Sequence, residues 1–139
     1  MTRIDLRGLP IAITGASSGI GHAAAIACAR AGMPVVVSAR RADRLNELVA
    51  RIMREGGRAV AVPGDVAKPE DCRALVDATR DAFGSIYAVF ANAGYGIEKP
   101  VHESSDQELR DLFETNFWGS MNLVRAALPH MLQAKRGHL

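Results

Sequence analysis

The chain has 139 residues, a net charge of +2, 48% hydrophobic residues and 23% charged ones. That is length enough for one domain, spanning 1–139, with a buried core. The near-neutral balance gives no electrostatic case for nucleic-acid binding, and no apolar run reaches the ~18 residues that cross a bilayer.

Leu9 to Thr14 reads as a first strand, and Gly19 to Ala31 as a helix that Gly32 ends. Val35 to Ala39 is a run of apolar and small residues suited to a strand buried on both faces. Arg41 to Glu55 has Leu45, Leu48, Val49 and Ile52 on one helical face, and Gly56-Gly57 stops it. Arg58 to Pro63 is a third strand. Pro69 suits a first helical position, and that helix runs to about Phe83. Ile86 to Ala91 is a fourth strand, and Gly94 to Ser104 a loop. Ser105 and Glu108 have capping-box spacing at the start of a last, long helix, 105–134, in which Pro129 should cause a kink or an end. Strands alternating with helices predict an α/β fold around a parallel sheet.

Thr14-Gly15-Ala16-Ser17-Ser18-Gly19-Ile20-Gly21 joins the first strand to the first helix. This arrangement puts a phosphate on a helix N-terminus. Gly15 suits the tight turn, Gly19 a close backbone approach to pyrophosphate, and Gly21 close packing of helix on sheet. A glycine-rich turn without a ligand is the plainer alternative. Together with Asp65-Val66, Asn92-Ala93-Gly94 and Asn116, in that order, the stretch resembles the short-chain dehydrogenase/reductase family in its compact single-domain branch. The resemblance covers essentially the whole chain. It implies a Rossmann-like doubly wound sheet of order 3-2-1-4, incomplete at strand five, which Arg136 to Leu139 would begin.

The resemblance also implies a nicotinamide cofactor, with Gly15, Ser17, Ser18, Gly19 and Ile20 at its phosphates and Asp65 and Val66 at its adenine. Asn92, Ala93 and Gly94 would line it. Asp65 also fits a plain turn, Pro63-Gly64-Asp65, and Asn92 a purely structural role. An acidic residue at the end of strand two would select NAD(H), but Ala39 stands there. Arg40 follows, with a guanidinium suited to a 2′-phosphate, and Arg41 is the weaker choice. NADP(H) is therefore expected over NAD(H). The alternative is that both arginines are solvated residues opening a helix.

In the resembled family a serine, a Tyr-x-x-x-Lys pair and an asparagine carry catalysis. Asn116 matches the asparagine and falls on the apolar stripe of the last helix. It is the expected catalytic residue, the alternative being an amide satisfied by nearby backbone. The other members would lie past Leu139, which predicts a longer native gene product. Tyr95-Gly96-Ile97-Glu98-Lys99 has the pair's spacing, but its glycines and Pro100 make it a loop, where positions i and i+4 do not meet.

Two readings follow. The chain is the cofactor-binding part of an NADP(H)-dependent oxidoreductase acting on a small-molecule alcohol or carbonyl, or it is a non-catalytic nucleotide-binding half-domain. Pairing with a second copy through the long helix is expected, with no nucleic-acid or membrane partner. Cys28 and Cys72 suggest neither disulfide nor metal, the histidines have no ligand spacing, and Met1 to Gly8 holds no signal-peptide core. No metal and a cytoplasmic setting are expected.

Overall fold

The computed structural model describes residues 4–139. The first three residues of the Met1 to Gly8 segment, read above as holding no signal-peptide core, lie outside them.

Short runs of β-branched and small residues build one parallel sheet. Its strands are β1 (Ile11–Thr14), β2 (Val35–Ser38), β3 (Ala59–Ala61) and β4 (Ala88–Phe90), in the order β3-β2-β1-β4. In this register Ile13 stands between Val37 and Phe90. Strand three is shorter than its sequence suggests. It is an edge strand, and all three of its residues are only half-buried.

The intervening segments form α1 (Gly19–Arg30), α2 (Ala42–Arg54) and α3 (Pro69–Phe83). Beyond β4 come α4 (Asp106–Phe113) and α5 (Gly119–Ala134). Period-two alternation divides the sheet between two cores. Ile11, Ile13, Val35 and Val37 face Ile26 of α1 and Leu45, Leu48 and Ile52 of α2. Ala12, Val36 and Val89 face the other way, onto Leu75 and Val76 of α3 and Leu123, Ala127 and Met131 of α5. Burying each of the large side chains contributes about 1.5–3 kcal/mol. Helices on both faces make the sheet doubly wound, as expected.

The long helix 105–134 is not continuous. Between α4 and α5 lies a π turn, Glu114–Trp118, in which the Gly119 N–H donates to the Glu114 carbonyl five residues back. One extra residue per turn shifts the helical phase, so the apolar stripe read as one face is split. Leu123 and Ala127 are buried, while Phe113, Phe117 and Trp118 face out. Pro129 does not end the helix, which continues to Ala134. After α5 the chain returns to the open edge of β4. The Val89 N–H donates to the His138 carbonyl at 3.0 Å, and the His138 N–H to the Tyr87 carbonyl at 2.9 Å. His138 and Ala88 form a parallel bridge, the geometry of a fifth strand's first pair.

Candidate functional site

β1 has neighbours on both sides: the chain runs from it to β2 and β3 toward one edge, then crosses back from β3 to β4 on the other side. A crevice opens at the carboxyl ends of the strands at such a switch point. Gly15 turns the chain out of β1 with φ +67°, and a Cβ there would stand 2.8 Å from Ala93 Cα. The helix that follows sits hard against this turn. A Cβ at Gly21 would lie 2.6 Å from both Asn92 Nδ2 and the Gly15 carbonyl oxygen.

The resulting groove has a volume of about 240 Å³. Its walls are Gly15, Ser17 and Ser18, the segment Ser38 to Arg41 after β2, Gly64 to Val66 after β3, Ala93 to Tyr95 after β4, and Thr115 of the π turn. Eight of the expected contacts thus line one space: Gly15, Ser17, Ser18, Arg40, Asp65, Val66, Ala93 and Gly94. Gly19 and Ile20 open α1 beside it, with Ile20 74% exposed. Ser18 precedes that helix without capping it through its side chain, which leaves first-turn N–H groups for an anion.

Asn92 and Asn116 act from behind the walls. The Asn92 amide donates to the Thr14 carbonyl at 3.1 Å and to that of Gly15 at 3.5 Å. Asn116 is exposed rather than buried in an apolar stripe. Its Oδ1 accepts the Tyr95 N–H at 3.0 Å and its Nδ2 donates to the Tyr95 carbonyl at 2.8 Å, so one amide grips both backbone groups of the loop residue.

Asp65 does form a turn: its Oδ1 accepts the Ala67 N–H at 3.0 Å, and its own N–H donates to Asp71 Oδ2 at 2.8 Å. Asn122 of α5 donates to the Val66 carbonyl at 3.0 Å, which ties that turn to the opposite helix. The turn and the groove wall are the same residues.

Arg41 and Thr14 were not singled out for these contacts. Arg41 Nη2 donates to Ser17 Oγ at 2.9 Å and Ser18 Oγ at 3.1 Å, whereas Arg40 makes no hydrogen bond among the described residues. Thr14 Oγ1 accepts the N–H groups of Asn92 at 3.1 Å and Ala93 at 3.2 Å. Tyr95 lies on the groove wall. Thr14 ends an otherwise apolar strand, and that polar break was the available signal.

Tyr95 and Lys99 lie in irregular backbone. The Lys99 ammonium pairs with Glu108 at 2.7 Å. That contact, with donation from the Ser105 backbone and hydroxyl, lowers the Glu108 carboxyl to about pKa 2. Ser105 and Glu108 complete the expected capping box. Burial and the charge of Asp71 push the Cys72 thiol up to about 11, so it is a poor nucleophile. Among the described residues no cluster of His, Cys, Asp and Glu is arranged to hold a metal, and no helix is long and apolar enough to cross a membrane.

A parallel doubly wound sheet with a glycine turn at its switch point defines a Rossmann-like nucleotide-binding protein. The family described as short chain dehydrogenase matches residues 10–139, and the chain belongs to that family. It is 37% identical over 136 residues to an uncharacterized oxidoreductase of Listeria innocua, covering 98% of this chain and 55% of that protein. It is 42% identical over 133 residues to 11-beta-hydroxysteroid dehydrogenase 1A of Arabidopsis thaliana, covering 94% of this chain and 38% of that one. The crystal structure of a short-chain type dehydrogenase/reductase from Mycobacterium marinum superposes with a TM-score of 0.89 at 33% identity, over 94% of this chain and 53% of that one. The chain thus spans about half or less of the length of these relatives.

Proposed function

We propose that the groove binds NADP(H) and that the chain is the cofactor-binding part of an oxidoreductase acting on an alcohol or carbonyl. The observation that carries this is the cationic end of the groove. Arg40 and Arg41 both line it, the Arg41 guanidinium lies over Ser17 and Ser18, and Ala39 leaves no carboxylate at the end of β2. A carboxylate there would hold the ribose hydroxyls of NAD(H), whereas a guanidinium fork matches a 2′-phosphate.

The groove suits the rest of the cofactor. Gly15 has no side chain to block the turn, and the uncapped first turn of α1, with Gly19 and Ile20, offers N–H groups to a pyrophosphate. Asp65 and Val66 would flank the adenine, and Ala93, Gly94 and Tyr95 the opposite end. When bound, the nicotinamide supplies or accepts the hydride. Asn116 fixes the Gly94–Tyr95 wall through both backbone groups of Tyr95, and so would orient what lies against it. The name of the Arabidopsis relative, a hydroxysteroid dehydrogenase, favours an alcohol or carbonyl substrate here. The free thiols Cys28 and Cys72 fit a reducing, cytoplasmic setting. The exposed Phe113, Phe117, Trp118 and Met121 on the α4–α5 segment suit pairing with a second copy.

Fluorescence titration with NADPH and NADH tests the assignment. NADPH should bind at least about tenfold more tightly, the size of one charge-assisted hydrogen bond, and Arg40→Ala should reduce that margin. Equal affinity for the two cofactors, or no loss of NADPH affinity in Arg40→Ala, would sink it.

A further inference from the structure

We propose that residues 96–104 form a strap that gates the Tyr95 end of the groove, pivoting at Gly96 and latched by the Lys99 ammonium on Glu108. The proposal rests on the dinucleotide reading and adds a route of entry to it.

The segment runs back along the helix that follows it. Asn116 of the π turn grips Tyr95, and four residues further on Lys99 meets Glu108 in the first turn of α4. The two fastenings differ in kind. The Asn116 amide holds both backbone groups of Tyr95 through neutral hydrogen bonds, at 3.0 and 2.8 Å. The Lys99–Glu108 contact joins two charges at 2.7 Å and is partly exposed on both sides. Among the described residues it is the one hydrogen bond that ties 96–104 to the rest of the chain. The other bonds of the segment stay within it: the Glu103 N–H and Ser104 hydroxyl donate to the Pro100 carbonyl, and the Ser104 N–H to that of Val101. Packing adds little, since Val101 is 74% exposed and only Ile97 and Ser104 are half-buried.

The pivot lies between the two fastenings. A Cβ at Gly94 would stand 3.0 Å from Asn116 Oδ1, so the chain is held close there, whereas a Cβ at Gly96 would meet nothing within 4 Å. The backbone is thus fixed through Tyr95 and unconfined at the next residue, where glycine accepts a wide range of dihedrals. A segment with few buried contacts and one tether opens at low free-energy cost. Gly94, Tyr95 and Thr115 line the groove, so the strap departs directly from its wall, at the end that the dinucleotide reading gives to the nicotinamide half. Screening by salt weakens the charged latch and leaves the neutral clasp at Tyr95 intact.

The test is stopped-flow binding of NADPH to the whole chain, with adenosine 2′,5′-bisphosphate as a probe that lacks the nicotinamide half. Lys99→Met removes the latch and leaves the Ser105–Glu108 capping box in place. It should speed both association and dissociation of NADPH by the same factor, about two- to fivefold, the range for an exposed ion pair, with the Kd unchanged. The factor should shrink as salt rises, because screening opens the wild-type latch as well. Lys99→Arg keeps the ion pair and should restore the wild-type rates. The bisphosphate should bind wild type and Lys99→Met at equal rates. Thermal melts of both variants confirm folding. A wild type that does not bind NADPH overturns the dinucleotide reading and the gate with it. Tight NADPH binding with equal rates in wild type and Lys99→Met, a weakened affinity without faster association, or an equal gain for the bisphosphate overturns the gate alone.

Discussion

Replacing Thr14 with valine isolates the hydroxyl that joins β1 to the segment after β4. Thr14 is 2% exposed, and valine nearly reproduces its shape. The Oγ1 accepts the Ala93 N–H at 3.2 Å and the Asn92 N–H at 3.1 Å, and donates to the Phe90 carbonyl at 3.4 Å. The Asn92 N–H also reaches the Phe90 carbonyl at 3.0 Å, so it keeps a partner in the variant. The Ala93 N–H loses its acceptor in a partly buried site. An orphaned donor of this kind costs about 1–3 kcal/mol, and about 2 kcal/mol is the expected total. That corresponds to a fall in Tm on the order of 5–10 °C for a chain of this size. Urea denaturation followed by circular dichroism measures the loss. Thr14→Ser keeps the hydroxyl and removes only a methyl group, so it should retain most of the stability. A Thr14→Val protein within about 0.5 kcal/mol of wild type, or a serine variant as damaged as the valine one, would refute the reasoning.

Two further outcomes are expected. Gly21→Ala should destabilise the chain by about 1–3 kcal/mol, the range for overpacking, because its Cβ would meet the Gly15 carbonyl and Asn92 Nδ2 at 2.6 Å. Helix propensity alone favours alanine by about 1 kcal/mol, so a raised Tm would show that propensity outweighs the contact. The Glu108 carboxyl should titrate near pH 2 rather than near its ordinary 4.5, because Lys99 and Ser105 hold the ionised form. A depressed carboxylate stabilises the fold above its unfolded value, so this contribution is complete above about pH 4.5 and is lost as pH falls toward 2. Side-chain carboxyl shifts followed by NMR across that window check it, and a midpoint near 4.5 would contradict the paired geometry.

Much of the architecture is legible because local rules and tertiary packing agree here. The β-branched run at Val35 has to be a two-faced strand, since each face must be buried. Pro69 marks a helix start because the N–H it lacks would have no partner in a first turn, and the Ser105–Glu108 box because its backbone N–H groups find side-chain acceptors three residues away. The strand order came with the family resemblance, because no local pattern says which strands pair. The split in the last helix was not legible for a related reason. Periodicity over 105–134 is compatible with a continuous helix, and the π turn rests on the bond from the Gly119 N–H to the Glu114 carbonyl, which the spacing of apolar residues does not record.

The site divides along the same line. The sequence alone determined that a glycine turn follows a strand and opens a helix, that no carboxylate ends the second strand, and that two arginines follow Ala39. Those properties depend on near neighbours. Only the tertiary structure decided that Arg41 rather than Arg40 reaches the serines, that the Asn92 side chain braces the glycine turn, and that Thr14 ties β1 to the segment after β4. Each of these contacts joins residues more than twenty positions apart. The crossing of β2, β1 and β4 sets their distances, and residue spacing carries no record of that crossing.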